Sequence, residues 1–226
     1  ATNGDVFLTK LDNELQQIWT KEIGTTKNDY VKDIILDNQE NIYIAGTTDG
    51  IFDGNLSSDG WDGYISKISP EGLKIWTKQM PGHEIYSLAK GNDGNLFIAG
   101  SIIGDYVENE LGIEFTQGNS KWPYEHDRNG FISKITTTGT ESDRYYFGNQ
   151  GQGEEPMSLT SDNDSNIYMA GYVNYDGNYI WNNDLFLAKL NDLSDKSSSS
   201  YPLPHIDSPG AEFGYQLVDE DGEIVN

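Results

Sequence analysis

Cysteine is absent from the 226 residues. That excludes disulfides, thiolate metal sites and a cysteine nucleophile, but it leaves the compartment open, because an exported protein can do without disulfides. Histidine is scarce. The three, His83, His126 and His205, are scattered along the chain, so a three-histidine zinc site is not the favoured reading. Positive charge is short: 14 Lys and Arg stand against 37 Asp and Glu, a net charge of −23. Such a surface repels nucleic-acid phosphates and anionic membranes and suits divalent cations or cationic partners, with plain solubility as the competing explanation. No apolar run approaches the ~20 residues a membrane helix needs, so membrane insertion is not expected. No basic-then-apolar leader opens the chain, so a signal peptide is expected to be absent or already removed. The GxSxG elbow, the HExxH pair and the phosphate-binding GxxxxGK[ST] loop are all missing, and with them the usual signatures of acyl, zinc-hydrolytic and nucleotide chemistry.

What the chain has is an internal repeat. Asn41-Ile-Tyr-Ile-Ala-Gly46 returns as Asn95-Leu-Phe-Ile-Ala-Gly100 and Asn166-Ile-Tyr-Met-Ala-Gly171, with a weaker copy starting at Glu223. A second phrase alternates with it: Asp5–Lys10, Asp62–Lys67, Asn129–Lys134 and Asp184–Lys189. Two phrases in fixed alternation indicate one supersecondary unit repeated. Runs of β-branched and aromatic residues bounded by Gly, Asn, Asp and Pro predict four strands per unit, here called a to d. In the first complete unit they fall at Tyr30–Leu36, Asn41–Thr47, Asp62–Ile68 and Leu73–Gln79.

The units cover roughly 30–79, 84–148 and 155–205, with residues 1–22 supplying strands c and d alone and residues 211–226 strands a and b alone. The expected fold is all-β: a β-propeller of four-stranded antiparallel blades, about four in number, in a single domain over 1–226. The terminal pieces would complete one blade and leave no open sheet edge. A fragment of a larger ring and an elongated stack of sheets are the alternatives. Strand b is apolar on both faces, as a blade sandwiched between neighbours requires, and its closing Ala-Gly is expected where blades crowd together.

Asp62–Ile68 with Trp76 and Asn92–Gly100, and equally Asp5–Leu11 with Trp19 and Asn38–Gly46, resemble the bacterial beta-propeller repeat family of the SBBP type. The likeness spans roughly residues 4–190. Trp is missing from the third copy, where Arg144-Tyr145-Tyr146 stands. The resemblance implies a propeller fold and an extracellular or cell-surface setting, and no particular reaction.

Lys10, Lys67, Lys134 and Lys189 occupy one repeat position and are read as structural, each stem packing in its blade and each ammonium meeting a carboxylate or carbonyl. Candidate function sits in the long b–c loops, where the repeats differ. Trp122, Tyr124 and His126 in loop 101–128, with Tyr179 and Trp181 in loop 172–183, form a candidate ligand-binding set for a carbohydrate or protein partner, with rings supplying contact area and polar neighbours fixing orientation. The competing reading has Trp122 and Trp181 pin down their own loops. Asp53, Asp59 and Asp62 offer hard oxygen ligands in one Gly-rich loop and are the candidate calcium ligands, as an acidic turn at Asp162–Asp164 also is; neither has the spacing of a twelve-residue EF-hand loop. The expectation is therefore a non-catalytic, secreted or surface binding or scaffold module, with calcium as a stabiliser. A glycoside-acting hydrolase or lyase using carboxylates on the same face is the first alternative, and a structural spacer is the second.

Overall fold

The computed structural model describes residues 6–58, 60–103, 128–147, 153–164, 166–174, 183–190, 217–218 and 224–225. These residues form strands and the turns between them. Strands β1 (Val6–Leu11) and β2 (Gln17–Ile23) pair as a two-stranded sheet. Strands β3 (Asp29–Leu36), β4 (Ile42–Thr48), β5 (Asp62–Ile68) and β6 (Lys74–Met80) form a four-stranded sheet in that order. A second four-stranded sheet contains β7 (His83–Lys90), β8 (Leu96–Ile103), β9 (Arg128–Ile135) and β10 (Glu141–Phe147). Strands β11 (Gly153–Ser161), β12 (Ile167–Asn174) and β13 (Asn183–Leu190) form a three-stranded sheet, and β14 (Leu217–Val218) pairs with β15 (Ile224–Val225). The ladders are antiparallel. The chain divides into two compact units, Ala1–Ile85 and Tyr86–Asn226.

The a-b-c-d order within a sheet is as the sequence predicts; among the described residues no ladder joins the terminal strands into the blade expected of them. β1–β2 and β14–β15 are separate two-stranded sheets. The fourth strand that the sequence predicts for the unit at 155–205 lies outside the described residues.

One turn serves six of the hairpins among the described residues. The amide of its first residue donates to the carbonyl four positions on at Asp12, Asp37, Ser69, Gly91, Thr136 and Asp162. This is the three-residue hairpin loop, whose third loop residue takes a left-handed conformation. Gly72, Gly94 and Gly139 fill that position at no steric cost, while Leu15 and Glu40 adopt it at φ 62° and 61°.

The bulges repeat as well. Between c and d strands the register slips at the same place three times, opposite Lys10/Leu11, Lys67/Ile68 and Lys134/Ile135, leaving Ile18, Ile75 and Ser142 as the extra residues. Between a and b strands it slips at Val31/Asp33 and again at Pro156/Ser158. A bulge bends its strand, and here it drives a carbonyl onto the glycine that closes strand b. A Cβ on Gly46 would lie 1.9 Å from the Tyr30 carbonyl oxygen, and one on Gly171 would lie 2.2 Å from the Glu155 carbonyl oxygen. The glycine is thus required by its own sheet. The expectation that it relieves crowding between blades is corrected: the close approach is to the adjacent strand.

Each unit has its own core. In the first, Val6, Leu8 and Ile23 of β1–β2 pack on Ile42, Ile44, Tyr64 and Ile68 of the four-stranded sheet, with Phe52 and the half-buried Trp19 at the margin. In the second, Phe97, Ala99 and Ile132 of β8–β9 pack on Leu159, Ile167, Met169, Phe186 and Leu190 of the three-stranded sheet. Trp19 also donates from Nε1 to the Pro70 carbonyl at 3.2 Å, tying β2 to the β5–β6 turn.

Candidate functional site

Two groups of polar side chains recur with the repeat. The first joins the a–b turn to strands b and c. Asp37 accepts from the amides of Gln39 and Asn41, from Asn41 Nδ2 at 2.9 Å and from the Tyr43 hydroxyl at 3.1 Å. Lys67 lies 3.8 Å from the same carboxylate and 5.2 Å from the Tyr43 ring centre. Burial pushes the Asp37 carboxyl up, but the hydrogen bonds from Asn41, Gln39 and Tyr43 together hold it below the ordinary carboxylate range. Asp162 repeats the arrangement with Asp164, Asn166 and Tyr168, under Lys189, which stands 5.4 Å from the Tyr168 ring. The Asn166 side chain is the main cause that lowers the Asp162 pKa to about 2. Asp162 therefore caps its own turn, and its oxygens are engaged there.

The middle repeat changes two positions together. Gly91 replaces the aspartate and Phe97 the tyrosine, so the carboxylate and the hydroxyl that would bond to it are both gone. Asp93, two residues on, takes over. It accepts from the Asn95 amide and Asn95 Nδ2 and pairs with Lys134 at 2.8 Å, while Lys134 stands 5.6 Å from the Phe97 ring centre. A Cβ on Gly91 would press on Asp93 Oδ1 at 2.8 Å and the Phe97 ring at 2.9 Å, so the substitutions fit as a set. The reading of the repeated lysines as structural agrees with this geometry at Lys67, Lys134 and Lys189. Lys10 sits opposite Trp19 in the β1–β2 ladder.

A buried tyrosine outside this set behaves differently. Tyr64 is fully buried against Phe52, with ring centres 4.8 Å apart, and its hydroxyl has no hydrogen-bond partner among the described residues. Burial, with the nearby Asp29 charge second, pushes its pKa up. The two tyrosines separate in a melt. Tyr43→Phe is expected to lose about 1–2 kcal/mol with the bond to Asp37, whereas Tyr64→Phe is expected to be neutral or stabilising, because it removes a hydroxyl that folding dehydrates without return. Equal losses from both would contradict this assignment.

The second group closes the first long loop. Asp62, which begins β5, is fully buried. It accepts from the Ser58 amide at 3.1 Å, Ser58 Oγ at 2.5 Å, Gln79 Nε2 at 2.7 Å and the Gly82 amide at 2.9 Å. Gln79 also donates to the Gly50 carbonyl and accepts from the Phe52 amide. Asp49 accepts from the Asn28 amide and side chain, and Asn55 Nδ2 donates to the Phe52 carbonyl. Phe52 itself is buried. Of the candidate calcium ligands, Asp62 is thus surrounded by donors, Asp53 is exposed in an ion pair with Lys74 at 2.7 Å, and Asp59 lies outside the described residues. Among the described residues there is no group of three or more His, Asp or Glu placed to hold a metal ion. His83 is buried, its Nδ1 2.7 Å from the Pro81 carbonyl.

The candidate ligand-binding residues Trp122, Tyr124, His126, Tyr179 and Trp181 lie outside the described residues. The feet of loop 101–128 are described. The Tyr86 hydroxyl is 2.8 Å from Ser101 Oγ, and Arg128 donates to the Tyr86 oxygen at 2.8 Å. Sequence reading missed Gln79, which no repeat phrase marks. It also passed over the Asp-x-x-x-Asn-x-Tyr spacing at 37–43 and 162–168, which was there to be read as a turn cap linked to strand b.

Compared with known families, residues 18–53 match the Beta-propeller repeat, SBBP. The chain carries an SBBP repeat. The matched stretch runs from β2 through β3 and β4 into the first long loop, and it includes Trp19, the Asp37 cap and the Gly46 closure. It also includes the phrase at 41–46 that the chain repeats at 95–100 and 166–171. No curated protein matches the chain.

Proposed function

We propose that this chain is a non-catalytic scaffold and binding module built from propeller blades, acting outside the cell or at its surface. It would hold loops 101–128 and 172–183 as a contact surface for a carbohydrate or protein partner. The observation that carries the scaffold reading is the first long loop. The carboxylates and amides described at Asp49, Asn55, Asp62 and Gln79 turn inward to bind backbone and neighbouring side chains. A loop spent on its own closure leaves recognition to the other two b–c loops, whose sequences bring Trp122, Tyr124, His126, Tyr179 and Trp181. Aromatic faces beside polar groups suit sugar rings and peptide side chains.

A glycan array probed with the protein and with Trp122→Ala and Trp181→Ala tests the carbohydrate half. Retained glycans whose signal falls at least tenfold in either variant, at unchanged melting temperature, would support it. An array that stays blank for the unaltered protein would remove the sugar as ligand, and turnover of an arrayed glycan would overturn the non-catalytic reading.

Calcium at Asp53, Asp59 and Asp62 would have to displace the Ser58, Gln79 and Gly82 donors from Asp62 and Lys74 from Asp53. We therefore favour a loop held by hydrogen bonds. Melts with calcium and with EDTA should superimpose; a midpoint that falls on chelation would restore the metal.

A further inference from the structure

Strand β6 ends the first four-stranded sheet, so β5 pairs with only one of its two sides. The other side is an edge, a row of amides and carbonyls that can serve as a template for a further strand. In this chain the first long loop fills part of that row.

The loop does so from a tight turn at 52–55. The Asn55 amide donates to the Phe52 carbonyl at 2.8 Å, and Asp53 and Gly54 between them take φ 48° and 73°. Two successive positive φ values across such a bond make a type I′ turn. From this turn Asn55 reaches β6 with both ends of its carboxamide. Its Nδ2 donates to the Thr77 carbonyl and its Oδ1 accepts from the Gln79 amide, each at 3.4 Å. Residues two apart on a strand turn their backbone groups to the same side, and here that is the side away from β5. A peptide group of a neighbouring strand would supply one donor and one acceptor to such a pair, and a side-chain amide supplies the same two.

Both bonds are long, but other ties hold the turn where it makes them. The Phe52 ring is buried against Tyr64, its amide donates to Gln79 Oε1 at 2.9 Å, and Asp53 pairs with Lys74 of the same strand at 2.7 Å. We propose that the turn 52–55 is an edge guard: Asn55 occupies the edge of β6 as a strand would, and so keeps it from pairing with the same edge of a second copy. Two bared β6 edges, one on each molecule, are the same patch and can meet about a two-fold axis, a contact that closes at the dimer. The proposal does not depend on whether the other b–c loops bind a ligand.

Hydrogen exchange and sedimentation velocity, on the parent and on Asn55→Ala and Asn55→Lys, test it. The Gln79 amide should be protected in the parent, and fast exchange there would overturn the guard without any variant. In dilute Asn55→Ala that amide should exchange about fivefold faster, the factor that one ordinary hydrogen bond is worth. As its concentration rises, Asn55→Ala should form more dimer than the parent, and the Gln79 amide should become protected again in that dimer. Asn55→Lys gives up the same acceptor but sets a charge on the edge, which discourages a second strand. It should therefore exchange fast at Gln79 and associate no more than the parent, although its charge lowers the net repulsion between copies. An Asn55→Ala protein no more associated than the parent would overturn the proposal. Equal association of both variants would do so as well, because a loosened loop and not a bare edge would then be the cause. So would a dimer whose Gln79 amide stays fast, since its contact would lie elsewhere. A monomer in which that amide is protected again would also overturn it, because the edge would then be filled from within the chain.

Discussion

Gly46→Ala is expected to destabilise the protein by about 3 kcal/mol, the upper end of what overpacking costs, and so to lower the melting temperature by about 6–12 °C. The added methyl would meet a backbone carbonyl, that of Tyr30, at 1.9 Å. A flexible side chain could swing away from such a contact, but this oxygen is fixed by the β3–β4 ladder and by the bulge at Val31/Asp33 that aims it. Relief requires undoing the bulge and, with it, the register that puts Ile34 opposite Ile44. Gly171→Ala should behave alike, against the Glu155 carbonyl and the Phe186 ring. Gly60→Ala is the control, because its nearest neighbour would be Ser58 Oγ at 3.8 Å, and it should change little. A thermal melt of the three variants suffices. A Gly46→Ala protein as stable as the Gly60→Ala one would mean that the bulge yields freely.

Asp62→Ala should lower the free energy that holds the loop closed by about 3 kcal/mol and the global stability by less, because the damage should be local. Removing the carboxylate strips the Ser58 and Gly82 amides of their acceptor in a buried site, while Gln79 Nε2 keeps the Gly50 carbonyl. Each buried donor left unmade costs about 1–3 kcal/mol, and asparagine would not restore the site, since its NH₂ would face other donors. The loop 49–61 should then open before the sheet does. Hydrogen exchange at the Gly82 and Ser58 amides should speed up by about two orders of magnitude, while amides in β4 follow the smaller global change. Uniform acceleration across the sheet would show that Asp62 holds the whole blade and not the loop in particular.

These two positions also show what the sequence discloses. The strands were legible because their pattern is local: in the first complete unit Asp62–Ile68 was placed to the residue, and the other three strands within one position. The Ala-Gly ending of strand b was visible as a repeated requirement, but not its cause, because a bulge is a relation between strands and a glycine looks the same whichever atom fills its missing Cβ. Asp62 was visible too, as an acid in a Gly-rich loop. Whether such an acid meets a cation or a ring of amides depends on Gln79 and Gly82, some twenty residues away and outside any repeat phrase.

The exchange of Asp37 and Tyr43 for Gly91 and Phe97 bears on how such a chain can change over time. Tandem repeats are prone to unequal crossover, which splices the start of one copy onto the end of another. Here a junction falling between cap and ring, which are separated by five residues, would join an aspartate turn to a phenylalanine strand, or a glycine turn to a tyrosine strand. The first hybrid leaves a carboxylate short of a donor, and the second leaves a phenol short of its acceptor. Both are penalised inside a blade, whereas a junction elsewhere in the repeat keeps the pair intact. The repeats can therefore be shuffled as whole blades far more readily than in parts, and their differences should persist in matched pairs.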